Sequence, residues 1–179
     1  MAFNSIKNLL KENLGLHVDS VGVSSIERAI SHRMSHVGMS SEDSYYSLLE
    51  SDEKEFEELV EEVVVPETWF FRNKSPFEAL RECVLNMGVS SDSSSGREPL
   101  RILSMPCATG EEPYSIAMTL RDAGLSGCDF SIDGIDVSKH ALTKARRAIY
   151  GKHSFREDNL NIQNKFFKKF KLLAKKNLK

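Results

Sequence analysis

Short apolar runs alternate with helical patterns in the second half of the chain. Residues 100–105 form a candidate buried strand, 106–112 a turn, and 113–123 a stretch with apolar residues at helical spacing. A second strand pattern at 130–136 leads into another helix, which Ser138 can cap. This alternation is typical of a parallel α/β sheet, in which ligands bind beyond the carboxyl ends of the strands.

The first part of the chain shows helical patterns only. Apolar residues recur at helical spacing after Ser25 and after Ser51, two candidate N-caps, and Pro66 ends the last of these segments. We therefore predict an all-α domain over residues 1–66 and an α/β domain over residues 67–179.

A further helix start is predicted at the beginning of the α/β domain. In the string Ser75-Pro76-Phe77-Glu78, Ser75 would be the N-cap, Pro76 the first helical residue and Glu78 the partner in a capping box. The serine-rich stretch at 90–96 that follows this helix is expected to be a surface loop.

Composition limits the classes of protein that fit. No apolar run in the 179 residues approaches the ~20 residues that span a bilayer, so we expect no membrane insertion. The three cysteines are far apart and form no CxxC pair, which argues against a metal site and favours a cytoplasmic protein with reduced thiols. The end of the chain from Lys165 is rich in lysine. Such a tail can bind nucleic acid, but we interpret it as a solvated terminus and expect no nucleic-acid partner.

The turn after the first strand is acidic. It reads Cys107 to Tyr114 and contains one glycine, so it is not a GxGxxG dinucleotide fingerprint. Glu111 and Glu112 at a helix N-terminus would repel a pyrophosphate and attract a cation, such as the amino group or sulfonium of S-adenosylmethionine. Alternatively, the two glutamates are simply favourable acids in a first helical turn.

Asp136 ends the second strand. A carboxylate at that place commonly accepts hydrogen bonds from ribose hydroxyls. The alternative is an exposed aspartate that starts a turn. An acidic turn after one strand and an aspartate after the next are together more specific than either feature alone.

A third signal is the string Pro66-Glu-Thr-Trp-Phe-Phe-Arg72. Its three aromatic residues, Trp69 to Phe71, could anchor the helical domain to the sheet domain. Arg72 is always cationic and offers a fork of donors that suits a carboxylate. That carboxylate could belong to a cofactor or to a substrate.

These segments together resemble the CheR family of chemotaxis-receptor methyltransferases. The resemblance is carried by 67–72 (ETWFFR), 101–104 (RILS), 109–117 (TGEEPYSIA) and 134–136 (GID), of which TGEEPYSIA is the most specific string. The string PETWFFR and the Ser-Phe-Arg at 154–156 are most similar to the Wsp-type members.

The resemblance implies a small helical domain packed on a class I, Rossmann-like methyltransferase fold. It implies S-adenosylmethionine as the cofactor, held at positions that match Thr68, Arg72, Glu112 and Asp136, with Glu111 as the alternative to Glu112. It also implies methyl transfer to glutamate side chains of a methyl-accepting receptor, with Arg72 positioning a carboxylate.

The helical domain of the family presents a basic helix to the receptor. Arg28 and Arg33 fall in the corresponding helix of this chain. Two arginines on one helix are more often plain surface charge, so both readings of the pair stay open.

The resemblance leaves the sheet incomplete. A full catalytic domain needs roughly 100 more residues, and only two parallel strands are predicted here. We therefore expect an incomplete methyltransferase sheet in a truncated or fragmentary copy, which puts turnover in question. The alternative function is a non-catalytic module that binds a receptor or a signalling partner. A nicotinamide-binding Rossmann domain is disfavoured by the acidic, glycine-poor turn.

Overall fold

The computed structural model describes residues 2–15, 21–87, 98–156 and 160–168. The stretch predicted as a surface loop at 90–96 and the lysine-rich tail beyond residue 168 lie outside these residues. Within the described ranges, no helix is both long enough and apolar enough to cross a bilayer.

Four helices are described in the part of the chain that precedes residue 66. They are α1 (Ala2–Leu14), α2 (Val23–His36), α3 (Glu42–Ser51) and α4 (Glu53–Val63). Their apolar faces meet in one core, because residues three and four apart lie on the same side of a helix. The fully or nearly fully buried members include Ile6, Leu10, Ile26, Ile30, Tyr45, Leu49, Leu59 and Val63.

The second half combines a two-stranded parallel sheet with helices. Its elements are α5 (Lys74–Asn86), β1 (Leu100–Ser104), α6 (Glu111–Asp122), β2 (Phe130–Gly134), α7 (Lys139–Arg147), a 3-10 turn (Lys152–Ser154) and α8 (Leu160–Phe166). The strands pair in register from Leu100 opposite Phe130 to Ser104 opposite Gly134. A second core, built on Val84, Ile116, Leu120 and Leu125, packs beneath them.

This architecture confirms the predicted fold class, an all-α domain followed by the first part of a parallel α/β sheet. The predicted strand positions are right to within one or two residues. The domain boundary at residue 66 stays a prediction.

Two predicted helix starts in the helical domain are wrong. Helix α2 begins at Val23 after Gly22, so Ser25 lies inside it. Ser51 is the last residue of α3. Asp52 caps α4, because its side chain accepts the backbone N–H groups of Lys54 and Glu55 in the first turn of that helix. Ser51 has Asp52 as a competing neighbour, and aspartate and serine are equally good N-caps. Helix α2 begins after Gly22, where no side chain caps the helix.

The predicted capping box is also wrong. Helix α5 begins at Lys74, and Asn73 at the cap position makes no side-chain cap hydrogen bond. Phe71 and Asn73 both have positive φ, 57° and 59°, so the chain turns sharply just before the helix. Pro76 is the third helical residue, which is tolerated because the N–H groups of a first turn have no partner within the helix.

Candidate functional site

A cavity of about 700 Å³ lies where the carboxyl ends of both strands meet the segment that joins the two domains. Four of the predicted site residues line it: Thr68, Arg72, Glu112 and Asp136. The remaining wall is largely apolar and includes Val64, Val65, Trp69, Phe77, Leu80, Ile102 and Ile116. The fifth predicted residue, Glu111, does not line this cavity.

Asp136 is fixed by two backbone donors. The N–H of Ala108 donates to Oδ2 at 2.7 Å, and the N–H of Ser138 donates to Oδ1 at 2.9 Å. The first donor follows β1 and the second precedes α7, so the carboxylate bridges the two turns at the sheet edge. An ionised carboxylate has about four acceptor positions, and Asp136 therefore keeps capacity for further donors.

The two glutamates of the acidic turn have different surroundings. Glu112 is exposed, and the Ser104 hydroxyl donates to its Oε1 at 2.7 Å. Glu111 is buried, and its carboxylate accepts from Thr109 Oγ1 at 2.6 Å and from Ser154 Oγ at 2.7 Å. Glu111 thus ties the start of α6 to the 3-10 turn, whereas Glu112 contributes its charge to the cavity.

Tyr150 also contacts the acidic turn. Its hydroxyl donates to the Thr109 carbonyl oxygen at 2.9 Å. Burial, followed by the nearby charge of Glu111, raises the pKa of Tyr150 well above its usual range. The hydroxyl therefore remains a donor at all physiological pH values and helps to hold the turn that carries Ala108.

The cationic side of the cavity is built around Trp69. The guanidinium of Arg72 lies 4.7 Å from the Trp69 ring centroid and donates to the Glu67 carbonyl oxygen at 2.7 Å. Arg156 lies over the same ring at 4.3 Å and pairs with the Glu67 carboxylate at 3.1 Å. Arg156 does not itself line the cavity, and no local pattern in the sequence marks its approach to Trp69.

The two phenylalanines anchor this segment to the α/β domain. Phe70 is fully buried and packs against Tyr150, Phe155 and Phe167, at centroid distances of 4.8, 5.0 and 4.9 Å. The backbone N–H of Phe71 donates to Ser115 Oγ at 3.0 Å. The ring partners of Phe70 all follow α7, so this ring holds the connecting segment against the α/β domain.

The arginines of the predicted receptor-binding helix have different roles. Arg28 is exposed. Arg33 is 7% exposed and donates through Nε and Nη2 to the two carboxylate oxygens of Glu55. Arg33 is thus a core residue of the helical domain, and the reading of both arginines as surface charge is wrong for it.

Models of known families match both halves of the chain. The CheR methyltransferase all-alpha domain matches residues 1–64, and the CheR methyltransferase SAM binding domain matches residues 66–176. The chain belongs to the CheR methyltransferase family. The cofactor of the matching domain is S-adenosylmethionine, and the carboxylates and Arg72 around the cavity fit its charged groups.

Curated relatives agree with this family assignment. The chain is 45% identical over 161 residues to a "Probable biofilm formation methyltransferase WspC" of Pseudomonas aeruginosa, covering 90% of this chain. It is 42% identical over 158 residues to the Pseudomonas putida protein of the same name, covering 88% of this chain. It is 28% identical over 151 residues to the "Chemotaxis protein methyltransferase" of Escherichia coli, covering 83% of this chain.

The chain is much shorter than these proteins. It spans 37% of the length of both Pseudomonas relatives and 50% of the Escherichia coli relative. The family assignment therefore identifies the two domains of this chain and the cofactor of the second domain.

Proposed function

We propose that the chain binds S-adenosylmethionine in the cavity between its two domains. Asp136 accepts hydrogen bonds from the ribose hydroxyls, and Glu112 faces the positively charged amino group. Arg72 binds the cofactor's carboxylate, with Thr68 adding a hydrogen bond. The observation that supports this proposal is that these four side chains, which come from three separate segments, line one cavity of about 700 Å³, a volume typical of small-molecule sites.

We further propose that the whole protein methylates glutamate side chains of a receptor protein in the cytoplasm. The cofactor supplies a methyl group activated by its sulfonium charge. A glutamate is already ionised at neutral pH, so the protein needs no strong general base. Its residues act by orientation, which is worth several kcal/mol when the reacting groups are held in line. The relative from Escherichia coli, named a chemotaxis protein methyltransferase, supports a receptor of this kind.

Calorimetric titration with S-adenosylhomocysteine tests the cofactor site. We expect micromolar binding, and we expect Asp136→Asn to weaken it at least about ten-fold, because hydrogen bonds to a charged group contribute about 1.5–3 kcal/mol. Asp133→Asn is the matched control. Asp133 is exposed on β2 beside Arg101, at 3.8 Å, and lies outside the cavity lining.

The outcomes separate the two candidate functions. Equal dissociation constants for S-adenosylhomocysteine in both variants and the parent would show that Asp136 does not bind the ligand. A folded parent that binds no S-adenosylhomocysteine would instead favour a non-catalytic module that binds a receptor or a signalling partner.

A further inference from the structure

One carboxylate of the helical domain reaches the turn that carries Asp136. Glu61 lies on α4, and its side chain is 13% exposed. Its Oε2 accepts the Ser138 hydroxyl at 2.6 Å, and its Oε1 accepts the His140 backbone N–H at 3.1 Å. A single side chain thus makes two hydrogen bonds across the interface between the domains.

One of these bonds satisfies a backbone N–H group at the start of α7. The first N–H groups of a helix have no partner within the helix. Ser138 is the N-cap and accepts the Ala141 N–H at 2.9 Å, while Glu61 takes the N–H of His140. The negative charge of Glu61 also lies at the positive end of the helix dipole, so both the hydrogen bonds and the charge favour this position.

Ser138 connects Glu61 to Asp136 through two hydrogen bonds. The Ser138 side chain is held by Glu61, while its backbone N–H donates to Asp136 Oδ1. Ser138 is 3% exposed, so it has little freedom to move without breaking both bonds. Glu61 and Asp136 are therefore linked through one buried residue.

We propose that Glu61 is a positioning residue for Asp136, so that the helical domain contributes to cofactor affinity through this carboxylate. The inference rests on the proposed function, because it assigns Asp136 to the ribose. Glu61 itself does not line the cavity.

A neighbouring ion pair provides a matched control. Glu57 also lies on α4 and pairs with Lys139 of α7 across the same interface. The Lys139 side chain is 70% exposed, and such pairs are screened by water and contribute little. Glu57 makes no hydrogen bond to Ser138, so its removal alters the interface without releasing the Asp136 turn.

The affinity experiment compares Glu61→Ala, Glu61→Gln and Glu57→Ala in the full 179-residue chain. Each is titrated with S-adenosylhomocysteine and with its 2′-deoxyribose analogue. We expect Glu61→Ala to weaken S-adenosylhomocysteine binding about five-fold and to shrink the penalty for the missing hydroxyl, as coupled groups do. Glu61→Gln keeps one acceptor oxygen, so it should lie between Glu61→Ala and the parent. Glu57→Ala should match the parent within about two-fold.

Amide hydrogen exchange gives a readout that needs no ligand. Glu61→Ala should speed the exchange of the Ser138 and Ala108 N–H groups, which donate to Asp136, and Glu57→Ala should not. Faster exchange in Glu61→Ala supports the positioning role even if the parent binds no S-adenosylhomocysteine. The absence of binding would contradict the proposed function but not the positioning role. Unchanged exchange overturns the inference. In a parent that binds, equal weakening of both ligands by Glu61→Ala also overturns it.

Discussion

Replacing Gly110 with alanine is expected to destabilise the chain by about 3 kcal/mol, the sum of a backbone and a packing penalty. Gly110 precedes α6 with φ 95°, in the left-handed region. A Cβ there would lie 2.8 Å from both the Ala145 Cβ and the Tyr150 hydroxyl. Neither neighbour can withdraw easily, because Ala145 belongs to α7 and the Tyr150 ring is packed against Phe70.

Gly124 offers a control with the same backbone and no crowding. Its φ is 96°, and among the described residues no heavy atom beyond Gly124 and its two chain neighbours lies within 4 Å of the position of an added Cβ. Gly124→Ala should therefore show the backbone penalty alone, about 1–2 kcal/mol. Urea denaturation of both variants measures the difference in the free energy of unfolding. Equal losses would mean that Gly110 is not in close contact with Ala145 and Tyr150.

The acidic turn shows what local sequence can predict. The apolar run of β1, the glycine and the following helical periodicity are each encoded within a few residues, so they fix a strand, a turn and a helix in that order. The position of the turn at the carboxyl edge of the sheet follows from chain direction in parallel strands. For this reason the cavity region could be predicted before any tertiary contact was known.

The choice between Glu111 and Glu112 could not be made in the same way. Both lie in the first turn of α6 and have the same local chemistry. Adjacent residues of a helix point about 100° apart, so the side that faces the cavity depends on how α6 docks on the sheet. Ser154, whose hydroxyl donates to Glu111, lies more than 40 residues away along the chain. No local sequence pattern predicts this contact.

Helix starts failed for a different reason. Ser25, Ser51 and Ser75 are all good N-caps, yet none caps the predicted helix. Serine, aspartate and asparagine are about equally good N-caps, and glycine is worse by only about a few tenths of a kcal/mol. Packing of the apolar face, which is worth far more, then decides where the helix begins. Ser138 was predicted correctly, and its hydroxyl accepts the N–H of Ala141 in the first turn of α7.

Arg33 provides the second large effect. Its guanidinium meets the Glu55 carboxylate at 3.0 Å and 2.6 Å through two nitrogens, and the Tyr45 hydroxyl donates to Glu55 Oε1 at 2.8 Å. The Arg33 and Glu55 side chains are only 9% and 7% exposed. Arg33→Met keeps the apolar stem but leaves the Glu55 charge buried without its partner. Breaking a buried pair in this way costs about 3–5 kcal/mol.

Two further variants distinguish loss of charge pairing from loss of packing. Glu58 lies 3.5 Å from Arg33 Nη1 and is half exposed, so Glu58→Gln should change the free energy of unfolding by less than about 1 kcal/mol. The double variant Arg33→Met/Glu55→Gln removes both charges, keeps an acceptor oxygen for the Tyr45 hydroxyl and should recover most of the stability lost in Arg33→Met, because no uncompensated charge is then buried. Urea denaturation of all three variants decides the matter. A double variant no more stable than Arg33→Met would contradict the prediction, because removing the unpaired Glu55 charge would then have recovered no stability.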